Sequence, residues 1–485
     1  MTYVSKSLDI NTAAIKAAFS YEKTVIVRET VCKKSGVRTA VCFIDGMVNG
    51  KIVNESIIER IIDFDAKSSE SFINELASFG VCASDTKTER DIEKLKNGLC
   101  EGNTVVFVDG EEKALLIDTK GYLLKAITEP AGESISKGPH EGFTEEILVN
   151  MSLLRRRIAN PDLKMEMMEI GEKTHTKVCL CYIDKIVKKR TVREVKKRLA
   201  LLDCDEILDS NYIAEYIRDN PYSPFKTVGS TERPDSVAAK LLEGRVAIMV
   251  NGTPAVLTVP YIFAEYFQSS EDYYVSFYYA TVGRILRFIS FFISISLPSL
   301  YVAFTNYHQD EIPIKLFIAI AASRDGVPIS NLLEVIVMLI GFELLREAGD
   351  RIPASFGVSL SVVGTLVIGQ VAVTAKLISA PVVFIVAITA TTGLLIPKMK
   401  GAIIFVRLVI LALSSVLGIY GYLLGITLLT VYLCSMRSFG VEYMDYLLPV
   451  FRKSSPDVPL RSIIPAMKRR PDFAQSRRRR GEKND

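Results

Sequence analysis

Histidine is nearly missing from this chain: His140, His175 and His308 are the only three in 485 residues. Little is left for imidazole acid–base work or imidazole metal ligation. Also missing are a GxxxxGKS/T phosphate loop, GxGxxG, HExxH, GxSxG and a pair of CxxC motifs, the short signatures of nucleotide, protease, hydrolase and zinc sites. The chain is therefore read as a protein that is not an enzyme, with no catalytic residue, cofactor or metal assigned. Net charge is equally thin, +4 overall, so bulk electrostatics call for no nucleic-acid partner. The opening stretch MTYVSKSLDINTAAIK has neither an apolar h-region nor a small-residue cleavage site, and no signal peptide is expected.

A second absence is local. Lys, Arg, Asp and Glu vanish from Phe288 to Tyr307, Ile352 to Ala375, Leu377 to Pro397 and Leu408 to Met436, and each run matches or exceeds the ~20 residues a helix needs to cross a hydrocarbon layer. The chain reads as an integral membrane protein with a large polar N-terminal part, too long for one core. Arg284 and Arg287 precede the first run; Arg452, Lys453, Arg461 and the basic clusters 468–470 and 477–480 follow the last. Positive charge beside spans favours the cytoplasmic side, so both termini are expected inside.

In the polar part, two blocks about 140 residues apart look alike. VCFIDGMVNGKIVNESIIERIIDF (41–64) reads as strand, turn and helix, followed by GNTVVFVDGEEKALLID (102–118) as a hairpin around Asp109 and Gly110. VCLCYIDKIVKKRTVREVKKRL (178–199) and GRVAIMVNGTPAVLTV (244–259), around Asn251 and Gly252, repeat that order. Asp-Gly and Asn-Gly between apolar alternations are strong hairpin signals. Two related α/β subdomains are expected, at 1–136 and 137–275. Between the blocks Thr144 offers an N-cap, Glu145 and Glu146 a first turn, and Arg155, Arg156 and Arg157 a basic helix end, all matching the helix dipole. The Arg triplet offers either an anion or headgroup site or a solvated or interdomain helix end. Eight cysteines, seven of them in this part, read as reduced thiols, and Cys179 with Cys181 as buried strand thiols rather than a metal site. The sequons at Asn54, Asn150 and Asn251 fall in the same compartment.

A transmembrane helical domain is expected at 276–450, with four to six spans that include 288–307, 356–376, 377–397 and 402–436, and a basic cytoplasmic tail at 451–485. Leu408 to Met436 suits one tilted helix or two short ones broken at GIYGYLLG. The intervening segment 330–353 places Glu334, Glu343, Arg346, Glu347 and Arg351 at membrane level, where carboxylates are costly and face partners or water. On a helix over 356–376, Ser359, Val362, Leu366, Gly369, Gln370 and Val373 share one stripe, and Ser361, Thr365, Gly369 and Ala372 a neighbouring small-residue stripe. The first suits a pore with a hydrophobic constriction and the second close helix packing; a lipid anchor packed within one subunit is the other reading.

The segments EGFTEEILVNMSLLRRRI, FELLREAGDRIP, SLSVVGTLVIGQVAV and RSFGVEYMDYLLP resemble, in the same order, signature segments of the A subunit of bacterial spore germinant receptors, the GerA-type spore germination protein family. The resemblance covers almost the whole chain. His140 stands where a basic residue is more usual, and the tail PDFAQSRRRRGEKND carries no motif of the family. The resemblance implies a cytoplasmic two-subdomain region facing the spore core and a membrane domain in the spore inner membrane. It further implies assembly as a pentameric, nutrient-gated ion channel with a transporter-like B subunit and a lipoprotein C subunit. Two other classes compete: a secondary transporter using Glu334, Glu343 and Lys376, and a membrane-anchored signalling scaffold.

Overall fold

In the computed structural model, the structure describes all residues except 1–2, 21, 65–71, 78–85, 122–129, 131, 134, 352–368, 445–456, 458–459, 468 and 477–485. The first polar block builds α1 (Leu8–Ala18), β1 (Val25–Val31), β2 (Arg38–Ile44), a π-helical turn Ile52–Ile58 running into α2 (Glu59–Asp63), α3 (Phe72–Glu75), β3 (Thr86–Glu89), α4 (Ile92–Cys100), β4 (Asn103–Val108) and β5 (Ala114–Asp118). The second builds α5 (Ile147–Arg157), β6 (Leu163–Ile170), β7 (Thr176–Ile183), α6 (Lys189–Ala200), α7 (Ser210–Ile217), β8 (Gly229–Thr231), α8 (Pro234–Leu242), β9 (Val246–Val250) and β10 (Val256–Val259). The sheets run β1-β2-β4-β5-β3 and β6-β7-β9-β10-β8, the same order twice. Helices alternate with strands as expected, but every ladder is antiparallel.

The uninterrupted apolar strands NTVVFV and VAIMV follow from burial on both faces. Every residue of β4 and β9 is buried. On one face of the first sheet Cys42, Val105 and Phe107 pack under α1 and α4, while Val41, Val106 and Val108 meet Ile57, Ile61 and Ile73 on the other. In the second sheet Cys179, Cys181 and Met249 pack under α5 and α8, and Val178, Leu180 and Ile248 under α6 and α7. Each subdomain is thus a helix–sheet–helix sandwich, and a one-residue register slip in a central strand would exchange its two apolar sets.

The repeat extends to single hydrogen bonds. Asn11 accepts from the Ser5 N–H at 2.8 Å and donates to its carbonyl at 2.6 Å; Asn150 does the same to Thr144 at the same two distances. The hairpin tips close on the helix starts. Asp109 Oδ1 accepts from Leu8 N at 3.0 Å and Asn251 Oδ1 from Ile147 N at 3.2 Å, satisfying a helix N–H that has no partner within the helix. Gly110 and Gly252, at φ of 89° and 90°, turn their N–H groups to the carbonyls of Lys6 and Glu145, a backbone region that favours glycine. This explains a departure from the sequence reading. The helix begins at Ile147 with Glu146 as its N-cap, and Thr144 stands outside it, held by Asn150.

Arg155 resolves the Arg triplet in favour of an interdomain role. It is 1% exposed, 2.5 Å from Glu22 Oε1 and 3.1 Å from the Asn160 carbonyl, and so bridges the subdomains. Arg156 and Arg157 pair instead with Glu141.

Beyond the sheets come α9 (Phe277–Tyr307), α10 (Ile314–Ser323), α11 (Asn331–Arg351), α12 (Ala380–Leu394), α13 (Lys400–Leu417) and α14 (Ile419–Ser435). Among the described residues Phe277–Tyr307 and Pro397–Leu417 are long and apolar enough to cross a membrane; α10, α12 and α14 are apolar but shorter. The run from Leu408 to Met436 is two helices, broken at Gly418, whose φ is 62°. After α14 a hairpin, β11 (Arg437–Ser438) and β12 (Val441–Glu442), returns to the second sheet. Ser438 Oγ bridges Thr227 O and Tyr261 N, Asp219 accepts from Phe439 N, and the Phe439 ring enters the apolar core beneath α6 and α7.

Because Arg155 and Glu22 are both buried, removing one leaves the other uncompensated. Arg155→Met in the full-length protein should cost about 3–5 kcal/mol. Arg155→Met combined with Glu22→Leu should recover most of it. Equal thermal midpoints for the single and double variants would show that the pair does not hold the subdomains together.

Candidate functional site

The helices leave the sheet domains and return to them by turns. At the near end Lys398, between α12 and α13, lies 2.8 Å from Glu133, and Glu347 at the end of α11 lies 3.8 Å from Lys400. At the far end Asn331 at the start of α11 donates to Thr305 and Asn306 of α9, Tyr307 donates to the Ser415 carbonyl, and His308 meets Tyr420. Lys398 and Lys400 therefore lie at the sheet-domain end.

The charges expected at membrane level meet partners, Glu334 and Glu343 across helices and Glu347 chiefly within its own. Glu334 is 0% exposed. One oxygen takes the Ser379 N–H at 2.9 Å and hydroxyl at 2.6 Å, and the other lies 3.2 Å from Arg324 Nε. A carboxylate thus sits on the N-terminus of α12, where the helix dipole favours negative charge. Glu343 is 3.0 Å from Arg407 of α13 and 3.8 Å from Arg346 on its own helix, so its nearer partner lies 64 residues away in sequence. Glu347 pairs with Arg351 at 2.9 Å, largely exposed. Of the stripe read as pore-lining, Ser359, Val362 and Leu366 lie outside the described residues. Gly369 is half-buried beside Val383, Ala372 packs against the cluster of Val335, Leu339 and Val382, Val373 is half-buried, and Gln370 and Thr374 are exposed.

The joint between sheets and helices is also ionic. Arg284, fully buried in the first turns of α9, donates through Nε to Asp272 at 2.9 Å. Its Nη1 reaches the Asp457 carboxylate at 2.8 Å and carbonyl at 2.9 Å. Arg287 holds both oxygens of Asp272 and the Phe267 carbonyl, and Tyr273 donates to Asp457 at 2.6 Å. Burial alone would raise the Asp272 carboxyl, but Arg287 and Arg284 more than offset it and hold it below its ordinary value. Sequence reading placed Arg284 and Arg287 as flanking charges and missed their partners. Asp272 has a local signal, since Ser269 and Asp272 form a capping box. Asp457, nearly two hundred residues downstream, has none.

This chain matches the sequence model of a family described as Bacillus/Clostridium GerA spore germination protein over residues 13–473. The chain belongs to that family. Spore germination protein KA of Bacillus subtilis (strain 168) is 41% identical over 472 residues, covering 97% of this chain and 87% of the relative. Spore germination protein GerLA of Bacillus cereus is 31% identical over 453 residues, covering 93% and 92%. The crystal structure of the N-terminal domain of the A subunit of the Bacillus megaterium spore germinant receptor GerK3 is 29% identical, covering 54% of this chain and 98% of that one, with a TM-score of 0.42. The family match reaches residue 473 and so takes in the first residues of the tail that carried no recognised motif.

Two outcomes test this geometry in the GerA-family chain. Arg407→Leu leaves Glu343 only the longer contact to Arg346 and should lower stability by about 1–3 kcal/mol, with Glu343→Leu added restoring most of it; identical expression levels and thermal midpoints for both would show Glu343 to be solvated. Asp272 titrates in the opposite sense to a buried neutral acid. Its folded value lies below the ordinary 3.8, so its contribution is present above that pH and is lost as pH falls through the folded value. Asp272→Asn should therefore lose stability at neutral pH, and its loss on acidification below about pH 4 should be shallower than that of the parent, read by thermal midpoints across that range.

Proposed function

We propose that this chain is the A subunit of a nutrient germinant receptor in the spore inner membrane, where it forms an oligomeric, nutrient-gated ion channel alongside a transporter-like B subunit and a lipoprotein C subunit. Membership of the spore germination family supports the role in germination. The observation that carries the channel reading is the two-sidedness of residues 369–374. Gly369 and Ala372 turn towards α11 and α12, while Gln370, Val371 and Thr374 are left exposed, the Thr374 hydroxyl donating to the Gln370 and Val371 carbonyls, a mixed face that a second subunit or a water path would cover.

The alternation of near and far ends supports six crossings: α9, α11, the uncharged run 356–376, α12, α13 and α14. Six crossings leave both termini inside and keep Lys398, Lys400 and Arg407 off the outer side, in line with the charge bias. A pentamer is the assembly implied by the family resemblance. A transporter site is disfavoured, because Glu334 and Glu343 stand nine residues apart on α11, about 13 Å along its axis. Each has its own cation, and Lys376 is exposed.

Spores lacking this chain should fail to germinate with the nutrient their receptor serves. In a reconstituted complex of A, B and C subunits, Val362→Ala should widen a hydrophobic constriction and give ion leak without nutrient, and Leu366→Phe should block release while assembly persists. Cysteine at 370 should react with a water-soluble thiol reagent faster than cysteine at 369. A complex that assembles, responds to nutrient and never conducts would favour the scaffold reading.

A further inference from the structure

A cavity of about 450 Å³ lies between the second subdomain and the start of the helical part, away from the pore stripe and bordering the ionic joint at Tyr273. That size falls within the usual range for small-molecule sites, about 300–1,000 Å³. Its walls come from four parts of the chain. The end of α8 and the start of β9 supply Lys240 and Arg245, the turn before α9 supplies Glu265 and Tyr273, the α12–α13 connection supplies Lys398, and the C-terminal return supplies Met467 and Arg470. Its charged lining is Asp235, Glu243 and Glu265 against Lys240, Arg245, Lys398 and Arg470, three negative groups against four positive. Leu242, Ile464 and Met467 add an apolar side.

We propose that this cavity binds an organic phosphate, its phosphate held among Lys240, Lys398 and Arg470 and its body against Leu242, Ile464 and Met467. Cations from three separate elements converge on one space, and phosphate is the anion whose several oxygens can accept from donors on different sides. The site lies beside the turn that enters α9, at the end of the bundle nearest the sheets. A phospholipid headgroup and a soluble phosphate ester share this chemistry. The electrostatics agree with the geometry. Burial pushes the Lys240 ammonium below its ordinary value, and although Glu265 opposes this, Arg245 and Lys398 add to it. Lys240 lies 3.0 Å from Glu265 and Lys398 2.8 Å from Glu133, so an incoming phosphate would share these cations with their carboxylates and strengthen the positive side of the lining.

The internal repeat shows why the fourth wall can report occupancy. In the first subdomain Gly121, only three residues past β5, donates to the Met47 carbonyl. At the equivalent place in the second subdomain Ile186 receives instead the N–H of Gln475, at 2.8 Å. There the neighbouring Ala474 is buried in the core, Phe473 lies under Arg245, and Arg470 donates to the Leu242 carbonyl. The chain past β10 leaves for the helices, and the segment returning from them fills the seat. A ligand touching Met467 and Arg470 therefore bears on the only described stretch that re-enters the sheet domain after the hairpin.

The test uses full-length protein in neutral detergent and in nanodiscs. Glycerol 1-phosphate, against chloride at equal ionic strength, should raise the thermal midpoint and slow hydrogen exchange at 464–476 if the source is soluble. If the source is lipid, nanodiscs containing phosphatidylglycerol should do so relative to pure phosphatidylcholine, with glycerol 1-phosphate inert. In either case Lys398→Gln, at a partly exposed position, should weaken the effect about tenfold, the consequence of losing one charge-assisted contact. Lys23→Gln, on the remote first subdomain, should leave it unchanged. No response to either probe, or equal responses in Lys398→Gln and Lys23→Gln proteins that retain the parent fold, overturns the proposal.

Discussion

Arg284 is a guanidinium with no exposed surface, placed where a helix of 31 residues leaves the sheet domains. Burying it is tolerable only because Asp272 and Asp457 meet it from two sides and Tyr273 stacks beside it, its ring 5.5 Å away. An uncompensated charge there would cost several kcal/mol. The geometry of three otherwise separate pieces is thereby fixed together: the turn that ends the second subdomain, the start of α9, and the chain returning after α14. Movement of any one relative to the others must either carry this cluster along intact or break it, so the joint behaves as a rigid coupling and not as a linker.

The same rule governs the bundle beyond it. Glu334 is matched by Arg324 and by the N-terminal dipole of α12; Glu343 is matched by Arg407 across to α13. These pairs bind α11 to the start of α12 and to α13, contacts that non-directional apolar packing alone would not specify. Charge in this half therefore sets which helices neighbour which. Thr374 differs in that its hydroxyl bonds only within its own turn, to the Gln370 and Val371 carbonyls, and reaches no other helix among the described residues.

How much of this was legible in the sequence follows from the range of each interaction. The central strands, both hairpins and the duplication were visible because their signals lie within a few residues: VVFVDG and AIMVNG announce strand and turn together. The outer strands β1 and β6 went unremarked, although VIVRETV and LKMEMMEI alternate, because charged residues occupy their half-buried edge faces. Glu347 and Arg351, four apart on one helix, pair as the spacing suggests. Glu343 had a plausible cation at Arg346 but turned mainly to Arg407, since closing a distance of 64 residues depends on how α11 and α13 pack and nothing local records that. Arg155 and Glu22 fall in the same class, as do Arg284 and Asp457. Membership of the spore germination family was legible because signature segments survive intact in sequence, whereas the stripe at 359–366 stays an inference from periodicity.

The two copies of the subdomain began with the same plan and part ways at their last strand. In the first copy the chain past β5 stays to cover its own edge, through Thr119 to Gly121. In the second it departs through Pro260 into the turn before α9, and the vacated positions are filled by residues that have already passed through the helices: Ser438 and Phe439 on one side, Phe473 and Ala474 on the other. Gly244 keeps the second seat open, since a Cβ there would lie 2.9 Å from that of Ala474. The second subdomain thus takes part of its packing, at Phe439 and Ala474, from residues that follow the helices. The boundary expected at 275 divides the chain by composition, while Phe439 and Ala474 from beyond it pack into the second subdomain, so the helical half is connected to the sheets at the beginning and again at the end of its path.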